Sequence, residues 1–255
     1  MFPRLTTVIL LAFAPAFSQQ AAPSLDDIIQ KHIDGMGGLE KLRAMQSVRM
    51  SGKVVMGGGQ MEAPLNMQMR RPHSMRMEII LQGRAIVTAF DGTTAWMINP
   101  MQGSSDPQKM GEDETKSMKD QADPDGSVLV NYKDKGHQVE LLGKEEVEGT
   151  PAWKLKVTYK TGNIDYTYLD AASYLVLKVS GKRKQMGQEF DIDSFPGNYK
   201  PVNGVLLPHT VENKMGGRTI MQMVFDKIEP NVALEDSIFQ MPAKEEPKKE
   251  EPKKP

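Results

Sequence analysis

The order of apolar and polar positions divides this chain into a short helical start and a long region of strands. After Ser24, apolar residues recur at the spacing of one side of a helix. These residues are Leu25, Ile28, Ile29, Ile33 and Met36. Ser24 and Asp27 form a capping-box-like pair, and the glycine-rich positions 35–38 end the helix. The pattern therefore predicts a helix that begins at Ser24 and a short second helical segment over 39–45.

From Ser47 onward the period changes to two, which predicts strands with one apolar side and one side in water. The predicted strands are 47–56, 61–69, 75–82, 85–90, 94–98, 137–145, 153–159, 164–170, 175–181, 186–194, 205–212 and 219–228. Turn signals such as Asp91-Gly92 and Asn203-Gly204 lie between most of them. Many strands in hairpin order with few helices favour an antiparallel meander that curls toward a barrel. The predicted fold class is mainly β.

The alternation stops between Asn99 and Gly136, a segment that we call the insert. Its polar stretch 111–119 is followed by the apolar residues Val128, Leu129, Val130 and Tyr132. One interpretation is a loop with short helices that lies over one opening of the curled sheet. The other is a disordered surface loop, because loops longer than about 12–15 residues are usually either lids or disordered. The sequence leaves both open.

The two ends of the chain differ from the body between them. Residues 1–18 combine a basic start, a short apolar run and small residues before Gln19, as a secretory signal does, and we predict cleavage after Ser18. An uncleaved anchor or a buried helix are the alternatives. Residues 244–255 contain only Lys, Glu and Pro, which predicts a disordered tail. The predicted domain is therefore 19–243, exported to the periplasm or, as a second choice, secreted.

Composition argues against several kinds of chemistry. The chain has no cysteine, and its 32 basic and 33 acidic residues give a net charge of -1, which does not favour nucleic-acid binding. The histidines His32, His73, His137 and His209 are isolated and are expected at surfaces or turns rather than at a metal. No nucleophile motif or phosphate-binding loop is present. We expect no catalytic residue, metal or cofactor, and therefore not an enzyme.

Methionine is the unusual component, with 19 residues in the chain. Many lie on the predicted apolar side of the first strands, namely Met50, Met56, Met61, Met67, Met69, Met75 and Met77. Methionine is unbranched and polarizable, so a surface rich in it can repack around ligands of different shape. The set predicts an adaptable apolar cavity. For any single methionine, filling the core is the simpler interpretation.

The order of several short motifs resembles the LolA-like superfamily, which comprises periplasmic lipoprotein carriers and their relatives. The resemblance extends from about Ile28 to Pro242. Its motifs are Gly37-Gly38-Leu39, Arg71-Pro72, the segment from Phe90 to Pro100 with Asp91-Gly92 and Trp96, Val139 to Gly143, Leu169-Asp170, Gly204 to Pro208 and Asp236 to Phe239. The methionine-rich strands, the long insert and the Lys-Glu-Pro tail depart from a dedicated lipoprotein chaperone.

The resemblance implies an incurved, unclosed antiparallel β-barrel with a few short helices as a lid. It implies binding of lipid acyl chains or lipid-modified proteins, as in outer-membrane lipoprotein sorting, with transient membrane contact. The alternative is a regulatory or sensor module on the same fold that binds an envelope protein. The residues expected to line the cavity are Met50, Met67, Met69, Met75, Met77, Ile79 and Trp96. In the carriers an arginine before a proline holds the lid closed, and Arg71 matches it, although Arg70 or Arg76 could take that role.

Overall fold

The computed structural model describes residues 22–243, apart from 124, 186 and 187. The predicted signal (1–18) and the predicted tail (244–255) lie outside the described residues. Within them, one antiparallel sheet of thirteen strands forms the body. The strands are β1 (Ser47–Met56), β2 (Met61–Arg70), β3 (Ser74–Leu81), β4 (Arg84–Phe90), β5 (Ala95–Asn99), β6 (Ser104–Lys109), β7 (Gln138–Val147), β8 (Thr150–Thr158), β9 (Ile164–Asp170), β10 (Val176–Gln185), β11 (Gln188–Val202), β12 (Val205–Met215) and β13 (Arg218–Pro230).

The sheet is not closed, because β6 and β7 are its two edges. The strands follow the order β6-β5-β4-β3-β2-β1-β13-β12-β11-β10-β9-β8-β7, so the first and last strands of the chain pair at the centre. One continuous core contacts both halves of the sheet and the helices, which places these elements on the concave side. The predicted fold class is confirmed: an incurved, unclosed antiparallel β-barrel covered by short helices.

Three α-helices are present in the described residues: α1 (Leu25–Gly35), α2 (Leu39–Ala44) and α3 (Glu112–Gln121). The predicted capping box of α1 is confirmed, since the Asp27 amide donates to Ser24 Oγ (3.2 Å) and the Ser24 amide donates to Asp27 Oδ2 (3.0 Å). The buried side of α1 consists of Ile28, Ile29, His32 and Ile33. None of the helices in the described residues is long and apolar enough to cross a membrane.

The loop after α1 docks closely on the turn between β11 and β12. Gly37 has a φ of 117°, and a Cβ at this position would lie 2.2 Å from the Gly204 carbonyl oxygen. The Leu206 amide donates to the Met36 carbonyl (2.8 Å) beside it. Only glycine permits both this backbone conformation and this approach. The contact fixes α1 against the concave side of the sheet.

The insert contains an edge strand and a helix, and the expectation of a disordered loop is wrong for the described residues. Leu129 and Val130 are completely buried in the main core. α3 contacts β4 and β5 on one half of the sheet and β10 on the other. Since β6 and β7 are opposite edges, the chain between them has to cross the opening. The interpretation of short helices over one opening describes this arrangement.

Strand β6 was not predicted from the sequence. Its residues are polar and include Pro107, so they show no alternation and would suit a turn. A proline is compatible with an edge strand, where only one side of the backbone pairs. Strand β11 is also longer than predicted. It continues past 194 to Val202 through Pro196 and Pro201, which pair with β12.

A smaller cluster lies on the outer side of the sheet, under the end of the described chain. Val87, Ala89 and Trp96 form it, with Met241 packed against them. Phe239, in the segment after β13, is 1% exposed. The C-terminal segment therefore covers β4 and β5 from outside, opposite the helices.

Candidate functional site

Methionines from three neighbouring strands lie side by side on the inner face of the sheet. Met50 of β1 pairs with Met67 of β2, which pairs with Met77 of β3. In the adjacent row, Met69 pairs with Met75. Residues paired in this way project from the same face. The hairpin registers thus turn alternation along single strands into a continuous methionine surface.

A cavity of about 180 Å³ lies against one end of this surface. Its lining is apolar apart from Asp123, and comes from β1, β2, β12, β13, the end of α2 and the insert. The lining residues are Met45, Val48, Met50, Met67, Met69, Asp123, Gly126, Leu207, Pro208, Val211, Met223 and Phe225. Apolar cavities of about 150 Å³ stay dry and can bind an apolar molecule such as benzene. Flexible methionine side chains can adapt the shape of such a cavity.

The structure places the predicted cavity residues other than Trp96 in two situations. Met50, Met67 and Met69 line the cavity. Met75, Met77 and Ile79 lie in or against the main core on the same face, with Met75 buried to 4% exposure. The alternation in β1, β2 and β3 was sufficient to place both groups on one face of the sheet.

Trp96 is a correction. It is 1% exposed, belongs to the outer cluster, and donates from Nε1 to the Phe239 carbonyl (2.7 Å). It pairs with Ala89, which pairs with Arg76, between Met75 and Met77. Trp96 therefore points to the face opposite the methionines and does not line the cavity.

Arg71 joins the sheet to the elements above the cavity. Its Nε donates to the Met45 carbonyl (2.9 Å) and its Nη2 to the Leu42 carbonyl (3.1 Å), at the end of α2. Nη2 also forms an ion pair with Asp125 of the insert. One guanidinium thus holds the end of β2, α2 and the insert together. A latching role for Arg71 stays a prediction.

The two alternatives to Arg71 make different contacts. Arg70 donates to the Leu234 carbonyl (2.8 Å) and pairs with Asp236, and Arg76 donates to the Ile238 carbonyl (3.2 Å). Both therefore hold the C-terminal segment on the outer side. Their positions do not support a role in fastening the insert.

Asp125 is the centre of a charged cluster that no local sequence pattern predicts. Its side chain is 1% exposed. Lys135 Nζ lies 2.5 Å from Asp125 Oδ2 and 2.6 Å from Asp123 Oδ2. With Arg71 this makes two cations and two carboxylates, so the buried charge of Asp125 is compensated. The cluster lies beside the apolar cavity, whose wall includes Asp123.

His32 ties the insert to α1. Contrary to the expectation of a surface position it is completely buried, as is most of His209. Its Nδ1 lies 2.7 Å from the Tyr174 carbonyl oxygen, so Nδ1 carries the proton and Nε2 accepts from Ser127 Oγ (2.8 Å). Burial lowers the pKa of His32, and its hydrogen bond to Tyr174 partly opposes this. The neutral ring is the form that this environment favours.

A second part of the insert is held by Asp120, in the last turn of α3. Its carboxylate accepts from Thr161 Oγ1 (2.7 Å) and Asn163 Nδ2 (2.7 Å) in the turn between β8 and β9. Burial raises the pKa of Asp120 above its ordinary value. In the adjacent strands, Arg183 donates two hydrogen bonds to the Asp165 carboxylate, at 2.7 and 2.8 Å. A Cβ on Gly181 would lie 1.9 Å from Asp165 Oδ1, so this glycine leaves room for the pair.

No group of three or more His, Asp and Glu side chains is placed to hold a metal ion in the described part of the chain. The site offers an apolar cavity, adaptable walls and an anchored cover, by which we mean α1, α2 and the insert. These are the means of non-covalent binding.

Comparison with known proteins supports the fold. No protein-family model matches the chain, and no curated protein matches its sequence. Among solved structures, a LolA superfamily protein from Nitrosomonas europaea superposes with a TM-score of 0.57 at 12% identity, over 83% of this chain and 96% of that one. A putative outer membrane lipoprotein-sorting protein domain from Vibrio parahaemolyticus gives a TM-score of 0.54 at 13% identity, over 83% of this chain and 94% of that one.

A family of a different name has the same architecture. A DUF1329 family protein from Desulfovibrio piger gives a TM-score of 0.54 at 12% identity, over 83% of this chain and 97% of that one. At such identities the likeness concerns the fold. With its unclosed thirteen-stranded sheet and its helices on the concave side, the protein has a LolA-like fold.

Proposed function

We propose that this protein is a periplasmic carrier that binds acyl chains of lipids or lipid-modified proteins in the methionine-lined cavity, without covalent chemistry. The observation that carries the proposal is the row of Met50 and Met67 beside a cavity whose described lining is apolar apart from Asp123. Burial of each methylene contributes about 0.8 kcal/mol, so one long chain would provide useful affinity.

Three further features agree with this role. The cover is held by directed polar contacts through Arg71, His32 and Asp120, while the cavity walls are apolar and flexible. Such a division lets the walls adapt while the cover stays in place. The similar structure from Vibrio parahaemolyticus is described as a lipoprotein-sorting domain. The N-terminal signal predicted from the sequence would take the chain to the periplasm.

The first experiment is native mass spectrometry of the protein purified from the periplasm of producing cells, followed by lipid extraction. We expect co-purified acyl-chain species at near-equal stoichiometry. A protein that carries no lipid and takes up none that is added would contradict the proposal. That result would favour a regulatory module that binds a protein partner, which crosslinking would recover.

The site itself is tested by Met67→Gln, which places an amide in the cavity at similar side-chain length. We expect roughly a 5- to 150-fold loss of lipid affinity, because a buried amide without partners costs about 1–3 kcal/mol. Met61→Gln is the matched control, since Met61 lies on the same strand and is 42% exposed. Normal lipid binding by Met67→Gln, with its fold intact by circular dichroism, would exclude this cavity.

A further inference from the structure

A second, polar cleft of about 360 Å³ lies next to the apolar cavity. It opens where the two halves of the sheet approach each other, and is lined by the turn after Arg71-Pro72, the β4–β5 turn, the end of α3, the later part of the insert and the β8–β9 turn. Asp123 lines both the cleft and the apolar cavity. The two spaces are therefore adjacent, as the two ends of one amphiphilic ligand would require.

Most of the cleft groups whose hydrogen-bonding capacity remains open are donors. Lys119 and Lys160 are exposed and have no ion-pair partner in the described part of the chain. The Lys160 amide donates to His137 Nδ1 (3.1 Å), so the proton of the neutral His137 ring is on Nε2, where it is available to a ligand. His73 also lines the cleft, and its Nδ1 is buried without a hydrogen-bond partner in the described structure.

Most acidic groups of the cleft are already engaged. Asp120 accepts from Thr161 and Asn163, and Asp123 is paired with Lys135. Asp134 is exposed and without an ion-pair partner among the described residues. Asp120 has uncharged partners, so its charge remains, but both of its oxygens are occupied. The cleft groups with open hydrogen-bonding capacity are thus the ammonium groups of Lys119 and Lys160, the Nε2–H of His137 and the carboxylate of Asp134. Two lysines with an imidazole donor are common partners of phosphate oxygens.

We propose that the cleft binds the phosphate group of a phosphate-bearing amphiphile whose acyl chain occupies the methionine-lined cavity. This inference rests on the proposed function and names its ligand class.

The test compares three ligands that share their acyl chains: dioctanoyl phosphatidate, dioctanoyl phosphatidylethanolamine and dioctanoylglycerol. Dissociation constants are measured by isothermal titration calorimetry on the full protein. We expect both phosphate-bearing lipids to bind about tenfold more tightly than dioctanoylglycerol, because charge-assisted hydrogen bonds are the stronger kind. Equal affinities for all three would overturn the cleft assignment and leave the carrier proposal standing. Failure of all three to bind would overturn both.

The lysines are tested by Lys119→Gln combined with Lys160→Gln. This variant should lose most of the preference for phosphate. Lys109→Gln combined with Lys200→Gln is the matched control, since both of these lysines are exposed, lie on β6 and β11, and are outside the cleft. Retention of the preference in the cleft variant, or an equal loss in the control, would contradict the assignment.

Inorganic phosphate tests whether the cleft binds a lipid headgroup or free phosphate. For a lipid headgroup site we expect inorganic phosphate to bind at least a hundredfold more weakly than dioctanoyl phosphatidate, since it lacks the acyl chains. Binding of inorganic phosphate as tight as that of the phosphatidate, and lost in the cleft variant, would make the cleft a site for free phosphate and overturn the lipid assignment.

Discussion

The inner face of β1–β3 and the inner face of β8–β10 belong to one sheet, yet they are built for different tasks. The first presents Met50, Met67 and Met77 in a row and borders the apolar cavity. The second buries the Asp165–Arg183 pair and receives α3 beside it. Methionine surfaces make few geometric demands, whereas buried ion pairs are directional. The comparison teaches that the face of β8–β10 receives α3 beside directional polar contacts, whereas the face of β1–β3 presents adaptable apolar surface beside the cavity.

The largest expected effect is a loss of stability from a change on the inner face of β8–β10. Asp165→Asn leaves Arg183 mostly buried without its counter-ion, and should lower the free energy of unfolding by about 3 kcal/mol in urea titrations. Glu62→Gln is the control, because its pair with Lys53 is exposed on both sides and contributes about 0–1 kcal/mol. Equal stability of Asp165→Asn and the parent would show that the Asp165–Arg183 pair on β8–β10 does not stabilise the fold.

The next effect concerns the contact between cover and sheet. Arg71→Ala removes the bonds to Leu42 and Met45 and half of the compensation of Asp125, so we expect a loss of about 2 kcal/mol and faster amide hydrogen exchange over 125–132. Arg70→Ala is the matched control, and should accelerate exchange in the C-terminal segment instead. The same exchange pattern in both variants would exclude a latching role for Arg71.

The third effect is a dependence on pH through His32. Its pKa in the folded protein is lowered by burial from an ordinary value near 6.5. Below pH 6.5 the unfolded chain therefore binds a proton that the folded protein does not, so stability falls as the pH falls. The expected slope is about 1.4 kcal/mol per pH unit, until the folded-state pKa is reached.

His32→Gln isolates this contribution from that of other groups, such as His137, whose pKa burial also lowers. The variant should lose stability less steeply between pH 6.5 and pH 5, as measured by urea unfolding at each pH. An unchanged slope would mean that His32 is not the titrating group.

The smallest change in stability is expected from a substitution on the inner face of β1–β3. Met67→Leu conserves volume and should change stability by about 1 kcal/mol or less. Because leucine is branched and stiffer, the variant should bind a narrower range of acyl-chain lengths than the parent, in titrations with lipids from six to twelve carbons. Met61→Leu, on the exposed part of the same strand, should keep the full range. An unaltered range in Met67→Leu would indicate that methionine flexibility is not used.

Local patterns were sufficient for most of the fold. Alternation of period two identified twelve of the thirteen described strands, and the Ser24–Asp27 pair identified the start of α1. The same alternation placed Met50, Met67 and Met69 on one face. These features depend on residues close together in the chain, whose periodicity is itself the physical cause of the structure. Strand β6 has no such periodicity, because an edge strand that is polar on both sides needs none.

Tertiary structure decided what local patterns leave ambiguous. In β5, Trp96 and Met97 are both apolar, so periodicity could not say which of them faces the helices. Arg70 and Arg71 are neighbours on opposite faces, and their partners lie far away in the chain: Asp125 is 54 positions from Arg71. The buried Asp125, the neutral His32 and the paired Asp165 acquire their states from side chains that only folding brings together. The sequence by itself thus determined the strands and the methionine face, whereas only the tertiary structure decided where the cover is fastened and which space remains open.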